Sequence, residues 1–362
     1  MKKFNNQPIY SMLMKRNKWI LTVNGALLSL FAACSADAPV EMIQGDGRVE
    51  IRVNSSILSS VEPATKAVLD GMINSGFGTD LDVAFARADA GDEGSYTTYQ
   101  TTALNGTAAT ASKTLSFSPA EYYLANGNKT KLIGWYPRRS GVTFTQGTKV
   151  VDFGTIDGKT DIMATPLKEG DKNTNIASLA FSHLLTQISV KVYAPDAATQ
   201  TLWGKVKSIK ITGKKQGCTI TLPEATAADG TTITAPSFTG TDDLDLVSAD
   251  PVTPSTAITY PLEMGVGTAD DAAVMAGYAM FAPQADDAIE LQIDLETGGL
   301  QKTKINVPVD GGFKAGTSYA VTLKFTSAGI TPAVSVTDWV NGTPIKDTLI
   351  PQHYYKIFFL ST

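Results

Sequence analysis

Short segments in which apolar and polar residues alternate constrain this chain more than any other feature. The clearest runs over residues 289–296 as Ile-Glu-Leu-Gln-Ile-Asp-Leu-Glu. A period of two places every apolar side chain on one face of an extended strand. A Gly-Gly pair follows and leads into a second alternating segment at residues 303–307. This pattern predicts two antiparallel strands joined as a hairpin.

Similar segments recur along the chain, and Gly, Asn, Asp and Pro separate them at short intervals. They are Val49–Val53, Leu81–Phe85, Leu132–Tyr136, Leu184–Val192, Ile209–Ile211, Tyr319–Phe325 and Val334–Val336. A softer pattern, without clear alternation, covers Ser55–Ala67. Helical periodicity is confined to two short stretches, Thr65–Ile73 and Pro195–Lys205. Many short strands at regular spacing predict an all-β fold built from β-sandwiches.

The length of the chain suggests two such sandwiches. A chain of 362 residues exceeds the usual size of a single domain. We place the boundary in the polar loop Lys168–Asn175. The prediction is therefore an N-terminal β-sandwich at residues 67–175 and a C-terminal β-sandwich at residues 176–345.

The first 33 residues have the pattern of a secretion signal. A polar, basic start containing Lys15 and Arg16 precedes an apolar run from Trp19 to Ala33 that is too short and too broken for a membrane-spanning helix. Small residues and then Cys34 follow, which suits a lipoprotein signal peptide whose cysteine carries the lipid. We predict lipidation at Cys34 and anchoring at the cell outer membrane. The alternative is an ordinary signal with a chance cysteine.

The second cysteine has no partner if Cys34 carries lipid, because the chain has two cysteines. Cys218 lies beside Thr219, Ile220 and Leu222, a strand-like segment. We expect it to be a small buried apolar residue.

The residues offer little for catalysis or for nucleic acid. A net charge of -5 disfavours nucleic acid as a partner. The two histidines, His183 and His353, are too few for a histidine-cysteine zinc cluster, and His183 lies within a strand pattern. The acidic pairs at 242–243, 270–271 and 286–287 are interpreted as solvated loop acids. We therefore predict no catalytic residues, no metal and no cofactor.

Two aromatic pairs allow two interpretations. Trp135-Tyr136 and Tyr122-Tyr123 fit the core of a sandwich or a seam between domains. They also fit a surface that faces a sugar. The second interpretation defines a rival function, a permanently lipid-anchored surface lipoprotein that binds glycans.

Several short motifs follow one another in a distinctive order after the cysteine. They are Pro63-Ala64-Thr65-Lys66-Ala67, Leu81-Asp82-Val83-Ala84-Phe85, Leu132-Ile133-Gly134-Trp135-Tyr136-Pro137, Asp161-Ile162-Met163-Ala164, Phe181-Ser182-His183-Leu184-Leu185, Gly316-Thr317-Ser318-Tyr319 and Val336-Thr337-Asp338-Trp339-Val340-Asn341-Gly342. This order resembles the fimbrillin family, the subunits of the lipoprotein-derived type V pili of anaerobic Gram-negative bacteria.

The resemblance implies a structure and a route of assembly. It implies two transthyretin-like β-sandwich domains and proteolysis after a basic residue that follows the first strand, which here is Lys66. Residues 34–66 would then leave, with the strand Val49–Val53, and other pilus subunits would fill the groove by β-strand donation. The mature protein would lie in a surface fimbrium and adhere to a host or bacterial ligand.

The C-terminal segment, residues 346–362, is apolar and rich in strand-forming residues. Its side chains include Tyr354, Ile357, Phe358, Phe359 and Leu360. Left exposed, such a segment promotes aggregation. We hypothesise that it serves as a donor strand. The alternative is that it packs on its own domain.

Overall fold

The computed structural model describes residues 48–58, 80–92, 94–96, 98–109, 113–247, 258–296 and 302–338. Within these ranges the chain has an all-β fold with two short helices, as the alternating segments predict. The helices are α1 (Ala197–Trp203) and α2 (Ala269–Ala272). The strands are β1 (Val53–Leu58), β2 (Leu81–Asp89), β3 (Leu104–Ala108), β4 (Thr114–Phe117), β5 (Thr130–Tyr136), β6 (Thr143–Thr145), β7 (Val150–Thr155), β8 (Met163–Ala164), β9 (Lys168–Gly170), β10 (Ser178–His183), β11 (Thr186–Ala194), β12 (Val206–Thr221), β13 (Ser237–Asp245), β14 (Gly265–Val266), β15 (Val274–Phe281), β16 (Ala288–Leu295), β17 (Lys302–Pro308), β18 (Thr317–Thr326) and β19 (Gly329–Asp338).

The first sheet closes on itself. Its strands follow the order β2-β3-β4-β1-β10-β8-β5-β9, and β5 also pairs with β2. Seven strands therefore form a ring of backbone hydrogen bonds, with β9 attached to β5. β2 is buried on both faces, because Val83 and Phe85 belong to the core inside the ring while Ala84 and Ala86 belong to a second core. A closed ring leaves its member strands without free edges.

Two further sheets contain the C-terminal half of the described chain. In one, β11 lies between β18, which runs parallel to it, and β15, which runs antiparallel, while β19 forms the far edge. In the other, the order is β17-β16-β12-β7-β6, with β13 paired to β12. The predicted hairpin is present, since Leu291 in β16 faces Ile305 in β17. The alternating apolar side chains of β16 enter a core that also contains Val190 and Leu323.

The cores extend across the boundary that the sequence suggests. β10 follows residue 175 but pairs within the first sheet. β6 and β7 precede residue 175 but belong to the third sheet, where β7 pairs with β12 and β6 pairs with β7. A second core joins Ile133 and Trp135 of β5 to Phe153 of β7 and to Cys218 and Ile220 of β12. The division at residue 175 into two domains stays a prediction.

Three local predictions have clear outcomes. The stretch Pro195–Lys205 does form a helix, α1, whose first turn is capped by the carboxylate of Asp196 accepting from the Thr199 N–H at 2.7 Å. The predicted segments around Ile209 and Cys218 are one continuous strand, β12. The loop interpretation of Asp242-Asp243 is wrong, because both residues lie in β13. The predicted helix Thr65–Ile73 lies outside the described residues.

Neither helix in the described part of the chain has the length and apolar character that crossing a bilayer demands.

Candidate functional site: the groove that holds the first strand

β1 completes the ring by lying between β4 and β10. Its pairing with β10 is parallel and runs from Asn54 opposite Ser178 to Leu58 opposite Ser182. On its other side, Val53 faces Leu115 in an antiparallel pairing with β4. The N–H of Ser55 also donates to the Lys113 carbonyl at 2.7 Å. β1 is thus the bridge between two strands that do not pair directly.

Alternate side chains of this segment are buried inside the ring. Val49, Ile51, Val53 and Ile57 are between 1% and 8% exposed and belong to the ring core, and Ser55 between them is 3% exposed. Burying one aliphatic side chain of this size contributes about 1.5–3 kcal/mol. The segment therefore accounts for a substantial part of the stability of the ring.

A buried ion cluster supports the loop backbone between β4 and β5 that faces the start of this segment. Arg87 donates from Nη1 to the Glu121 carboxylate at 2.8 Å and from Nη2 to the Tyr122 carbonyl at 2.9 Å. The N–H of Ile51 then donates to the Glu121 carbonyl at 2.8 Å. Arg87 is only 5% exposed, and a buried guanidinium is stable only where carboxylates and carbonyls satisfy it. These contacts hold the backbone that bonds to Ile51.

Aromatic rings form the floor of the groove. Phe85 makes edge-to-face contacts with Phe117 of β4, at 5.3 Å between ring centroids, and with Phe181 of β10, at 6.2 Å. Tyr123 lies in the same core, where its hydroxyl accepts from the Ile176 N–H at 2.7 Å and burial raises its pKa to about 12. If β1 left, this apolar floor and the backbone edges of β4 and β10 would face solvent.

The sequence-predicted site residues divide into two groups. The predicted strand Val49–Val53 is described, and the alternate burial of Val49, Ile51 and Val53 is present. The strand itself begins at Val53, so residues 49–52 precede β1. The softer pattern over Ser55–Ala67 misled the prediction at its start, because β1 extends to Leu58. The second group lies outside the described residues and consists of Cys34, Lys66, Tyr354, Ile357, Phe358, Phe359 and Leu360.

Of the two interpretations of the aromatic pairs, the structure supports burial in the core. Trp135 is 2% exposed and Tyr123 is 3% exposed, and they belong to different cores. They do not form a shared surface for a sugar. His183 is also buried at the end of β10, with Nδ1 at 2.5 Å from the Asp161 carboxylate. In the described part of the chain, no three His, Cys, Asp or Glu side chains converge to hold a metal ion.

The sequence did not predict those site residues whose bonding partners are distant in the chain. Arg87 and Lys113 belong to the site, yet each stands in an unremarkable local pattern. One signal was available for Arg87, since a charged residue within the apolar strand 81–89 requires a buried partner. No local signal marks Lys113.

The ring in which β1 lies between β4 and β10 does not identify the family by itself, and comparison with known proteins does. A model of a family described as fimbrillin-like matches residues 65–339, which is more than half of the chain. The chain belongs to the fimbrillin-like family. The match begins after β1, so the first strand precedes the matched region. Among curated proteins, none matches this chain.

Solved structures are also similar to this chain, and the first of the three that follow shares its fold. A candidate cell adhesion protein from Bacteroides uniformis is 16% identical, with a TM-score of 0.50, over 82% of this chain and 99% of that one. A second candidate cell adhesion protein, from Bacteroides ovatus, is 14% identical with a TM-score of 0.48, over 80% and 98%. A fimbrial protein from Bacteroides vulgatus is 15% identical with a TM-score of 0.42, over 80% and 98%.

Proposed function

We propose that this protein is a structural and adhesive subunit of a cell-surface pilus, assembled by strand exchange. One observation carries the proposal: β1 closes the ring between β4 and β10 and lies before Lys66 in the chain. Membership of the fimbrillin-like family supports it. In this reading the protein is not an enzyme, and it acts by binding other subunits.

Assembly begins with export and lipidation in this proposal. The signal peptide, residues 1–33, is removed, and the lipid on Cys34 holds the chain at the outer membrane. Cleavage after Lys66 then separates residues 34–66 from the rest of the protein. β1 and the lipid leave together, because both precede the cut.

Departure of β1 creates the binding site for the next subunit. The groove then has two unpaired backbone edges, on β4 and β10, above the floor formed by Phe85, Phe117 and Phe181. A donated strand satisfies the edges and covers the floor, which is strand addition driven by main-chain hydrogen bonds and alternate apolar side chains. We propose residues 346–362 of another copy as the donor.

The test follows polymer formation after proteolysis. Purified lipoprotein is treated with a protease that cleaves after basic residues, and polymers are resolved as ladders on a gel. The unaltered chain should form ladders. Lys66→Ala should block processing and polymerisation. Lys159→Ala, at an exposed loop position, is the matched control and should polymerise normally. Deletion of residues 346–362 should leave a folded monomer that does not polymerise.

N-terminal sequencing of the protein from the cell surface separates this function from its rival. A mature chain that begins at residue 67 supports the pilus subunit. A surface chain that still begins at Cys34, together with ladders that persist in the Lys66→Ala variant, would reject processing at Lys66. A surface chain that begins at Cys34 and forms no ladders after protease treatment, together with specific hits on a glycan array, would favour the lipid-anchored glycan-binding protein.

A further inference from the structure

A cavity of about 300 Å³ lies beside the second core, at the end of β5. Five of its lining residues are apolar: Ala84, Ala103, Trp135, Val142 and Phe144. The Trp135 and Phe144 rings contact each other at 5.7 Å between centroids. The volume is at the lower end of the range for ligand pockets. A ligand of about one sugar unit therefore suits it better than an extended chain.

The polar part of the lining is positively charged. It consists of Thr101, Thr102, Asn105, Arg138 and Arg139. Both charged residues are arginines, and the carboxylates that pair with them, Asp82 and Asp157, do not line the cavity. A cavity with this lining favours an anion over a cation or a neutral molecule.

Neither arginine is locked into its ion pair. Arg138 Nη2 donates to Asp82 at 2.8 Å, with the two side chains 35% and 66% exposed. Arg139 Nη1 lies 3.5 Å from Asp157, at 43% and 37% exposure. Exposed pairs of this kind contribute about 0–1 kcal/mol. An incoming carboxylate can therefore share either guanidinium at little cost.

One donor at the cavity wall also lacks an acceptor. The Nε atom of Arg138 is buried and makes no hydrogen bond. Buried donors are normally satisfied, and an unsatisfied one calls for a missing partner.

We propose that this cavity binds an acidic sugar, a uronic or sialic acid unit at the end of a surface glycan. The arginines bind the carboxylate, and the Thr and Asn side chains form hydrogen bonds to the hydroxyls. The apolar lining residues of the cavity pack against the carbon face of the sugar ring. The site deepens the adhesive part of the proposed function and rests on it for its biological role. Its binding chemistry needs only the monomer, so it does not depend on strand exchange.

The test measures binding to the full, uncleaved chain by titration calorimetry. The probes are glucuronic acid and N-acetylneuraminic acid, with methyl glucoside as the neutral sugar and acetate as the carboxylate without a sugar. At least one acidic sugar should bind, and the neutral sugar and acetate should bind at least tenfold more weakly. Arg139→Gln, an exposed substitution, should weaken acidic-sugar binding about tenfold, as expected for one charged hydrogen bond.

Lys207→Gln is the matched control, because it removes one positive charge at an exposed position outside the cavity. It should leave binding within twofold. If methyl glucoside bound as tightly as the acidic sugars, the proposed role of the arginines would be wrong. If acetate bound as tightly, the proposed recognition of a sugar ring would be wrong. Failure of both acidic sugars to bind, or equal losses in Arg139→Gln and Lys207→Gln, would overturn the site. Polymer ladders are not part of this measurement, so its failure leaves the assembly proposal to its own test.

Discussion

Single residues show how burial changes chemical behaviour in this fold. Cys218 is fully buried in β12, and burial, followed by the nearby Asp152 carboxylate, raises the pKa of its thiol to about 12. The protonated thiol is a poor nucleophile. The neighbours that bury it come from β5 and β7, which are distant in sequence.

The first prediction is that Cys218 is unreactive in the folded protein. A Cys34→Ser variant, in which Cys218 is the remaining thiol, should not react with a thiol reagent at pH 8. It should react fully once denaturant unfolds the chain. Absorbance of the released chromophore measures both. Rapid reaction of the folded variant would contradict the burial of this side chain.

The raised pKa of the Cys218 thiol also makes the free energy of unfolding depend on pH. In the unfolded chain the thiol ionises near its ordinary value of 9.0, so above that pH the unfolded state loses the proton before the folded state does. The contribution to stability is present below pH 9 and is lost as the pH rises toward 12. Cys218→Ala should reduce the fall in unfolding free energy over this range.

The second prediction concerns Gly134 in β5. A Cβ atom at this position would overlap the ring of Phe85, which is held between Phe117 and Phe181. Gly134→Ala should lower the free energy of unfolding by about 1–3 kcal/mol, the usual cost of overpacking a core. Denaturant titration followed by Trp fluorescence measures the change.

The control for Gly134 is Gly147→Ala, since a Cβ at Gly147 meets nothing within 4 Å. This control should change stability by less than about 0.5 kcal/mol. Equal effects of the two substitutions would show that Phe85 moves freely, which would contradict a tightly packed floor.

At the scale of elements, the first strand defines what a replacement strand must look like. Its inward positions carry Val49, Ile51, Val53 and then Ser55. The odd-numbered residues of the C-terminal segment repeat this order of apolar residues followed by serine, as Tyr355, Ile357, Phe359 and Ser361. If the even-numbered residues faced inward instead, the charge of Lys356 would be buried in the groove, which is energetically unfavourable.

The third prediction follows from that parity. If the tail is the donor, Ile357→Asp should abolish polymer ladders, because it places a charge over the aromatic floor. Phe358→Asp, one residue away, should polymerise, since its side chain faces outward. Ladders from Ile357→Asp, or equal loss in both variants, would reject this register. Circular dichroism of both monomers checks that neither substitution unfolds the protein.

At the scale of the whole molecule, the ring makes the stability of the subunit depend on an occupant of the groove. In the structure the occupant is β1. In the proposed assembly a donated strand takes its place after cleavage. In this proposal β1 and the donated strand occupy the groove in turn, so the apolar floor stays covered. An empty groove would expose the backbone edges of β4 and β10, and exposed sheet edges promote association.

The fourth prediction is that a cleaved and stripped monomer is less stable than the intact chain. Loss of four buried aliphatic side chains, at about 1.5–3 kcal/mol each, should lower the unfolding midpoint by roughly 10 °C or more for a chain of this size. Calorimetry on the tail-deleted protein, before and after removal of residues 34–66, measures the fall. A peptide of residues 346–362 should restore most of it. An unchanged midpoint would contradict the stabilising role of β1.

The sequence by itself determined the properties that arise from neighbouring residues. The alternation at residues 289–296 identified β16 and its buried face, because a period of two is a local consequence of extended backbone. The same held for β2, β18 and the helix α1. The lipidation signal at Cys34 is likewise a linear pattern, and it remains a prediction because it lies outside the described residues.

Only the tertiary structure decided which strands lie side by side. Asn54 pairs with Ser178 and Arg87 bonds Glu121, and nothing in either local pattern names the partner. Ser55 begins the softer pattern in the sequence, yet it is buried because β4 and β10 flank it. Sheet pairing is set by the mutual burial of faces from distant segments, a free energy that no short stretch of sequence contains. The groove is therefore a property of the fold, and the strand that fills it can be read from the chain once the groove is known.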